Sequence, residues 1–182
     1  MVARKTYFLV AASLLAAIGL LLELYVHFPV LPQAPYLLYS PGDLPVIVAA
    51  LLLGPAAGAA CAFVKASLFV VLTGQGGPWG ALMHFVASGG MVIAIALLNR
   101  RFGQLPLSLL GGVIARVALM VPMNLLVTPL YTGLPVSVVA GMIVPVVIPF
   151  NILHAGINLL LAFPLVRALP DRVVARFKTR AV

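Results

Sequence analysis

Charge is scarce in this sequence: only 8% of its 182 residues are Asp, Glu, Lys or Arg, and only 3 of them are acidic. A soluble domain carries about 25% charged and about 45–50% apolar residues, whereas 64% of the residues here are hydrophobic. This deficit excludes an ordinary soluble domain. We therefore predict an all-α integral membrane protein, since a helix satisfies its own backbone hydrogen bonds in lipid. We expect one membrane domain over residues 1–182.

Groups that could carry out chemistry are also few. The single cysteine, Cys61, rules out an intrachain disulfide and a cysteine-based metal cluster. Three acidic residues do not readily supply the paired carboxylates of acid–base catalysis, and the sequence has no Ser-His-Asp, zinc-protease or Walker pattern. We therefore predict that the protein is not an enzyme and needs no cofactor or metal. Because the sequence has no Walker motif, this chain cannot itself use ATP to drive transport, and another chain would have to supply that energy.

Long apolar runs are what the sequence has in abundance, at roughly residues 6–26, 44–53, 56–72, 80–99, 107–127 and 143–166. A helix needs about 20 apolar residues to cross the hydrocarbon layer, and the second run would rise only about 15 Å. Length alone therefore favours merging the second and third runs into one helix kinked at Gly54-Pro55.

The basic residues decide between five spans and six. With six spans and the N-terminus inside, nine of the 11 Lys and Arg lie on the cytoplasmic face and both termini are cytoplasmic. With five spans, Arg100, Arg101 and the basic C-terminal tail would lie outside, against the positive-inside rule. We therefore predict six transmembrane helices. The basic excess then orients the chain and attracts anionic lipid, and we expect no nucleic-acid binding.

The long outer connection, residues 27–43, has no Lys or Arg and is stiffened by prolines. Its end, "YSPGDLP", predicts a turn at Pro41-Gly42 and an N-cap at Asp43 before a short second span. Tyr36 and Tyr39 add aromatic surface. This composition is typical of a lid that packs down onto the bundle, and an ordinary folded external loop is the alternative.

Polar residues inside the apolar runs are the strongest functional signal, because a buried polar group in lipid costs free energy unless it has a partner. Asn151, His154 and Asn158 follow i, i+3, i+7 spacing and share one helix face. With Asp43 and Asn124, the first two converge on the outer side from three helices, which predicts a small-molecule pocket. Hydrogen bonds that only join helices would produce the same pattern.

Lys65 and Arg116 also fall at mid-span, and Glu23 lies near the outer end of the first span. Internal salt bridges and a functional role are both open for the two basic residues. The lone His84 is expected to be a hydrogen-bonded structural group rather than a metal ligand.

Small residues four apart give the first span flat faces, Ala12 with Ala16 and Ser13 with Ala17. A flat face lets another helix approach closely. It predicts either internal packing or a docking surface for another membrane protein, and the residues alone leave both open.

Several segments together resemble the riboflavin-specific substrate-binding subunits (S components) of energy-coupling factor (ECF) vitamin transporters. They are "YSPGDLP", "LLLGPAAGAACAFVK", "PMNLLVTPLY" and "IPFNILHAGIN". The resemblance extends over residues 6–166, and "IPFN" is its most specific element. It implies a six-helix bundle that binds riboflavin near the outer surface, beneath the loop between the first two spans.

The resemblance also implies residue roles. Asn124 and Asn151 match ligand-contacting asparagines of the family, and Ala12 and Ala16 match the surface that contacts the coupling protein. His154 departs from the pattern, because the family usually has lysine there. The candidate ligand-binding residues are Tyr39, Asp43, Lys65, Asn124, Asn151 and His154.

The partners implied by the resemblance are riboflavin as transported ligand, a membrane coupling protein and two ATPase subunits, all at the cell membrane. The bundle would topple in the bilayer to carry the vitamin inward. An S component for another vitamin or precursor is one alternative. A membrane scaffold or accessory protein, whose polar stripe only joins helices, is the other.

Overall fold

The computed structural model describes residues 2–170, with side chains described from residue 6 onward. The basic residues Arg4, Lys5, Arg172, Arg176, Lys178 and Arg180, on which most of the orientation argument depends, have side chains outside this range. The elements are α1 (Val2–Tyr25), β1 (Phe28–Pro29), β2 (Leu38–Tyr39), α2 (Asp43–Leu53), α3 (Pro55–Thr73), α4 (Gly77–Phe102), α5 (Leu105–Thr132), α6 (Val136–Met142), a π-helical turn (Ile143–Val147) and α7 (Ile148–Arg167).

The helices confirm the predicted all-α membrane fold. Among the described residues, five helical segments are long and apolar enough to cross a membrane: α1, α3, α4, α5 and the continuous segment Val136–Arg167. The short apolar helix α2 is the sixth member of the bundle. The last segment begins at residue 136, earlier than the predicted 143, because α6 and the π-helical turn continue directly into α7.

The break between α2 and α3 falls at Gly54, as the sequence indicates. Gly54 has a φ of 106°, a backbone conformation that favours glycine, and its N–H donates to the Ala50 carbonyl at 3.1 Å. Pro55 then opens α3, where no backbone donor is needed. A Cβ at Gly54 would lie 2.5 Å from Arg100 Nη2, so the Arg100 guanidinium sits at the C-terminal end of α2 and complements its dipole.

Helix α2 is short because it begins deep in the bundle. Its first residue, Asp43, accepts a hydrogen bond from Ser88 Oγ at 2.6 Å. Ser88 lies eleven residues after Gly77, the first residue of α4, and at 1.5 Å per residue this is about 16 Å along that helix. The connection between α1 and α2 therefore fills the half of the bundle on the predicted outer side.

The hydrophobic core contains Val46, Ile47, Met91, Ile95 and Ala155 from α2, α4 and α7, and α1 packs against it.

Ala16 belongs to this core, where it is 5% exposed, and Ala12 packs against it. The Cys61 thiol of α3 donates to the Ala12 carbonyl at 3.2 Å. For this pair of alanines the structure supports internal packing, while Ser13 and Ala17 on the same helix are exposed.

Candidate functional site

A cavity of about 290 Å³ lies between the bundle and the connection that joins α1 to α2. Its lining combines apolar and aromatic side chains, such as Phe69 and Phe150, with charged and polar ones from six helices. Asp43, Lys65 and Arg116 are among the latter. A concave site with apolar walls and a few converging polar groups is what a small-molecule site requires.

Asp43 is the centre of a buried charge cluster. Its Oδ1 accepts hydrogen bonds from Lys65 Nζ at 2.8 Å and from Ser88 Oγ at 2.6 Å, and its Oδ2 accepts one from Arg116 Nη1 at 2.8 Å. Asp43 is 0% exposed. These bonds connect α2 to α3, α4 and α5 through one carboxylate.

Glu23 supplies the second carboxylate of the cluster. It pairs with Lys65, and its Oε1 lies 3.1 Å from Nδ1 of His84. Lys65 therefore bridges two acids, while Asp43 is the one acid that pairs with Arg116 among the described residues. A buried charge is tolerated only when it is paired, because an uncompensated one costs about 3–5 kcal/mol. The salt-bridge alternative for Lys65 and Arg116 is thus what the structure shows, at the wall of a cavity.

Asn151 on α7 reaches this cluster through Arg116. Its Oδ1 accepts a hydrogen bond from Arg116 Nε at 3.0 Å, and its Nδ2 donates to the Val147 carbonyl at 2.8 Å. Val147 closes the π-helical turn before α7, and such turns recur at functional sites.

His154, one turn along α7, lies 3.7 Å from Asp43 Oδ2 through its Nδ1, too far for a hydrogen bond. Its ring packs near Tyr39 and Phe150, with centroid distances of 5.4 Å and 5.6 Å. Asn158 donates to the carbonyls of Ser40 and His154, both at 3.0 Å. It therefore ties α7 to the connection before α2.

The connection before α2 forms a small hairpin over the cavity. β1 and β2 pair antiparallel, with Phe28 opposite Tyr39. Leu31 and Ala34 are buried against Val146, and Gln33 Nε2 donates to the Pro145 carbonyl at 3.2 Å. The hairpin thus packs down onto the π-helical turn that precedes α7, as expected of a lid.

Tyr39 of this hairpin is buried, at 2% exposure. Its hydroxyl has no hydrogen-bond partner among the described residues. Burial, and after it the negative charge of Asp43, raise the pKa of this hydroxyl above its ordinary value. The group therefore stays protonated and can donate.

Asn124 does not join the cluster. Its Nδ2 donates to the Met120 carbonyl at 2.8 Å and its Oδ1 accepts from Thr128 Oγ1 at 3.1 Å, both within α5. Of the four polar residues predicted to converge, the structure brings together Asp43, Asn151 and His154.

Ser88, Glu23 and Arg116 are members of the cluster that we did not predict as site residues, and the role of Arg116 was left open. Serine is common in membrane helices, so Ser88 gives no signal in the sequence. Glu23 could have been found by charge balance: of the three acidic residues, Asp171 is in the basic tail, so two mid-span cations need Glu23 and Asp43. Among the described residues, no group of three His, Cys, Asp or Glu side chains could hold a metal ion.

A helical membrane bundle with a covered, polar-lined cavity defines a substrate-binding membrane protein of the transporter class. A family model described as the substrate-specific component of ECF transporters matches residues 7–166. The chain therefore belongs to the substrate-specific components of ECF transporters, which confirms the family that its motifs resemble.

Two curated relatives and one solved structure agree with this family. The riboflavin transporter FmnP of Bacillus subtilis (strain 168) is 32% identical over 175 residues, covering 87% of this chain and 88% of the relative. The riboflavin transporter RibU of Staphylococcus aureus (strain TCH60) is 28% identical over 169 residues, covering 85% of each chain. A solved S component of a bacterial ECF transporter superposes with a TM-score of 0.77 at 26% identity, covering 90% of this chain and 95% of that one.

Proposed function

We propose that this protein is the riboflavin-binding subunit of an ECF-type vitamin importer in the cell membrane. The observation that carries the proposal is the cavity of about 290 Å³ with mixed polar and aromatic lining, in a chain whose relatives FmnP and RibU are named riboflavin transporters. A flavin has a flat apolar ring with polar edges and a hydroxylated chain, which suits such a lining.

In this proposal the ring packs against aromatic side chains such as Phe150, and its polar edges meet the charge cluster and the face of α7. The candidate ligand residues remain Tyr39, Asp43, Lys65, Asn124, Asn151 and His154. Asp43 and Lys65 support the site as members of the cluster, and Tyr39 brings an unpaired hydroxyl from the hairpin.

The proposed importer needs other subunits, because this sequence has no Walker motif. We expect a membrane coupling protein and two ATPases to supply the energy. The protein itself is then a carrier with no enzymatic step and no cofactor, and riboflavin is its cargo. We propose that the coupling protein approaches α1 near Ala12 and Ala16, where Ser13 and Ala17 present the exposed side of the helix.

The test is an absorbance spectrum of the full chain purified in detergent, followed by titration with riboflavin while flavin fluorescence is recorded. We expect saturable quenching at one flavin per chain at sub-micromolar concentration. A colourless protein that does not quench flavin fluorescence would contradict riboflavin as the ligand.

An S component for another vitamin or precursor is the second candidate. It is favoured by His154, which stands where the riboflavin-specific subunits usually have lysine. Histidine is shorter than lysine and can be neutral, so it changes the donors available at the site. Competition between riboflavin and other vitamins in the same titration separates the two candidates.

A further inference from the structure

Each polar atom of the Asn151 side chain makes one hydrogen bond within the protein. Its Oδ1 accepts from Arg116 Nε at 3.0 Å, and its Nδ2 donates to the Val147 carbonyl at 2.8 Å. Chemistry fixes this orientation of the amide, because a guanidinium can only donate and a carbonyl can only accept. Asn151 is 3% exposed and does not line the cavity, whereas its neighbours Arg116, Phe150 and His154 do.

The Arg116 guanidinium is held by two hydrogen bonds and still has N–H donors that are free to bind a ligand. Its Nε–H is directed at Asn151 and one Nη1–H at Asp43 Oδ2, at 2.8 Å. A guanidinium has five N–H donors, and Nη2 has no hydrogen-bond partner in the part of the chain that the structure describes. A rigid, planar donor group therefore stands at the cavity wall with N–H groups left to bind something.

The charges around Arg116 balance before any ligand binds. Arg116 and Lys65 are offset by Asp43 and Glu23. The cluster thus has no spare positive charge that would require an anionic ligand. Its free donors suit a neutral acceptor, and the planar fork of arginine matches adjacent acceptor atoms on a flat group.

We propose that Arg116 binds an acceptor edge of the ligand's flat ring, and that Asn151 and Asp43 are positioning residues that act through Arg116. This inference rests on the proposed flavin ligand. It changes the role that the family resemblance implies for Asn151, from direct ligand contact to support of the group that makes the contact.

A double-mutant cycle in the full-length protein tests whether Asn151 affects riboflavin binding through Arg116. Arg116→Lys keeps the charge beside Asp43 but loses the fork, and Asn151→Ala removes the support. We expect each variant to weaken riboflavin binding about tenfold. The double variant should bind no more weakly than Arg116→Lys, because Asn151 has nothing left to position. Multiplied effects, about a hundredfold in all, would overturn the inference.

Asn158→Ala is the matched control, since Asn158 is a buried amide of the same helix that does not contact Arg116. Its effect on riboflavin binding should multiply with that of Arg116→Lys. Coupling as strong as that of Asn151 would mean that Arg116 affects the whole of α7, and would overturn the specific role proposed for Asn151.

The spectrum of the bound flavin separates ligand contact from a structural role. At saturating riboflavin, we expect Arg116→Lys to shift the visible absorption band, because a donor to the ring changes its electronic transition. Asn158→Ala should leave the band unchanged. A band that does not move in Arg116→Lys would overturn the contact.

Arg116→Gln keeps the test decisive if Arg116→Lys does not fold, because glutamine is neutral and has no guanidinium fork. Adding Asn151→Ala to Arg116→Gln should then weaken riboflavin binding no further, since the fork that Asn151 positions is gone. A further loss of about tenfold in the double variant would contradict support of Arg116 by Asn151. If the wild-type chain does not bind riboflavin, the proposed ligand and this inference both fail. Saturable wild-type binding with multiplied effects removes only the inference.

Discussion

Asn151 on α7 and Asn124 on α5 look equivalent in the sequence, each an amide in an apolar run, but they lie in two different kinds of region. Asn151 accepts a hydrogen bond from Arg116 of another helix, whereas the partners of Asn124 among the described residues are Met120 and Thr128 of its own helix. A polar residue in an apolar run therefore indicates that a partner is needed, and its neighbours decide whether that partner is local or distant.

The largest expected effect is in the region of Asn151, at the centre of the charge cluster. Asp43→Asn leaves Lys65 and Arg116 short of counter-charge, so the free energy of unfolding should fall by about 3–5 kcal/mol. Thermal unfolding in detergent measures it. Ser88→Ala removes one hydrogen bond to the same carboxylate and should cost only about 1 kcal/mol. A fully stable Asp43→Asn protein would show that the cluster is not what holds these helices together.

The two small-residue faces of α1 give a parallel contrast. Ala16→Trp overpacks the core and should cost about 1–3 kcal/mol, whereas Ala17→Trp on the exposed side should change stability by less than about 0.5 kcal/mol. Both are measured by thermal unfolding, with flavin binding as the check on the fold. We expect Ala17→Trp to bind riboflavin normally and to impair uptake with the partner subunits. Normal uptake would exclude that side of α1 from docking.

The two asparagines can be compared directly by flavin titration. Asn151→Ala should weaken riboflavin binding at least about tenfold, equivalent to about 1.4 kcal/mol, because Arg116 loses its support. Asn124→Ala should weaken it by about threefold or less, since its present bonds are within α5. An equal loss of riboflavin affinity in the two variants would contradict the difference between the two asparagines and indicate that Asn124 contacts the ligand.

Tyr39→Phe is also expected to have a small effect on stability. The Tyr39 hydroxyl is buried without a partner among the described residues, so its removal breaks no hydrogen bond and should change stability by less than about 0.5 kcal/mol. Riboflavin binding should weaken if the hydroxyl donates to the ligand. A clear loss of stability without ligand would instead reveal an internal role for the hydroxyl.

Much of the architecture could be predicted from local signals. Hydropathy marks the apolar runs, Gly54-Pro55 marks the break between α2 and α3, and the basic pair Arg100-Arg101 decides between five spans and six. The convergence of Asp43, Asn151 and His154 was also predictable from their spacing and span order. Ser88 was not, because a serine in an apolar helix has no distinctive sequence signal.

The rotation of each helix could not be predicted from the sequence. Ala16 is buried and Ala17 is exposed, although both small-residue pairs predict the same flat surface. Spacing fixes which residues share a face of one helix but not the direction in which that face points.

The sequence by itself determined the class of the protein, because too little charge and too many apolar residues leave only a membrane bundle. It also determined that two buried cations would need the few available carboxylates. The tertiary structure alone decided the pairings, since Arg116 and Asp43 are 73 residues apart and meet only through the packing of their helices. The reason is physical: backbone hydrogen bonds and hydropathy act locally, whereas buried charges find partners across helices only once the bundle has formed.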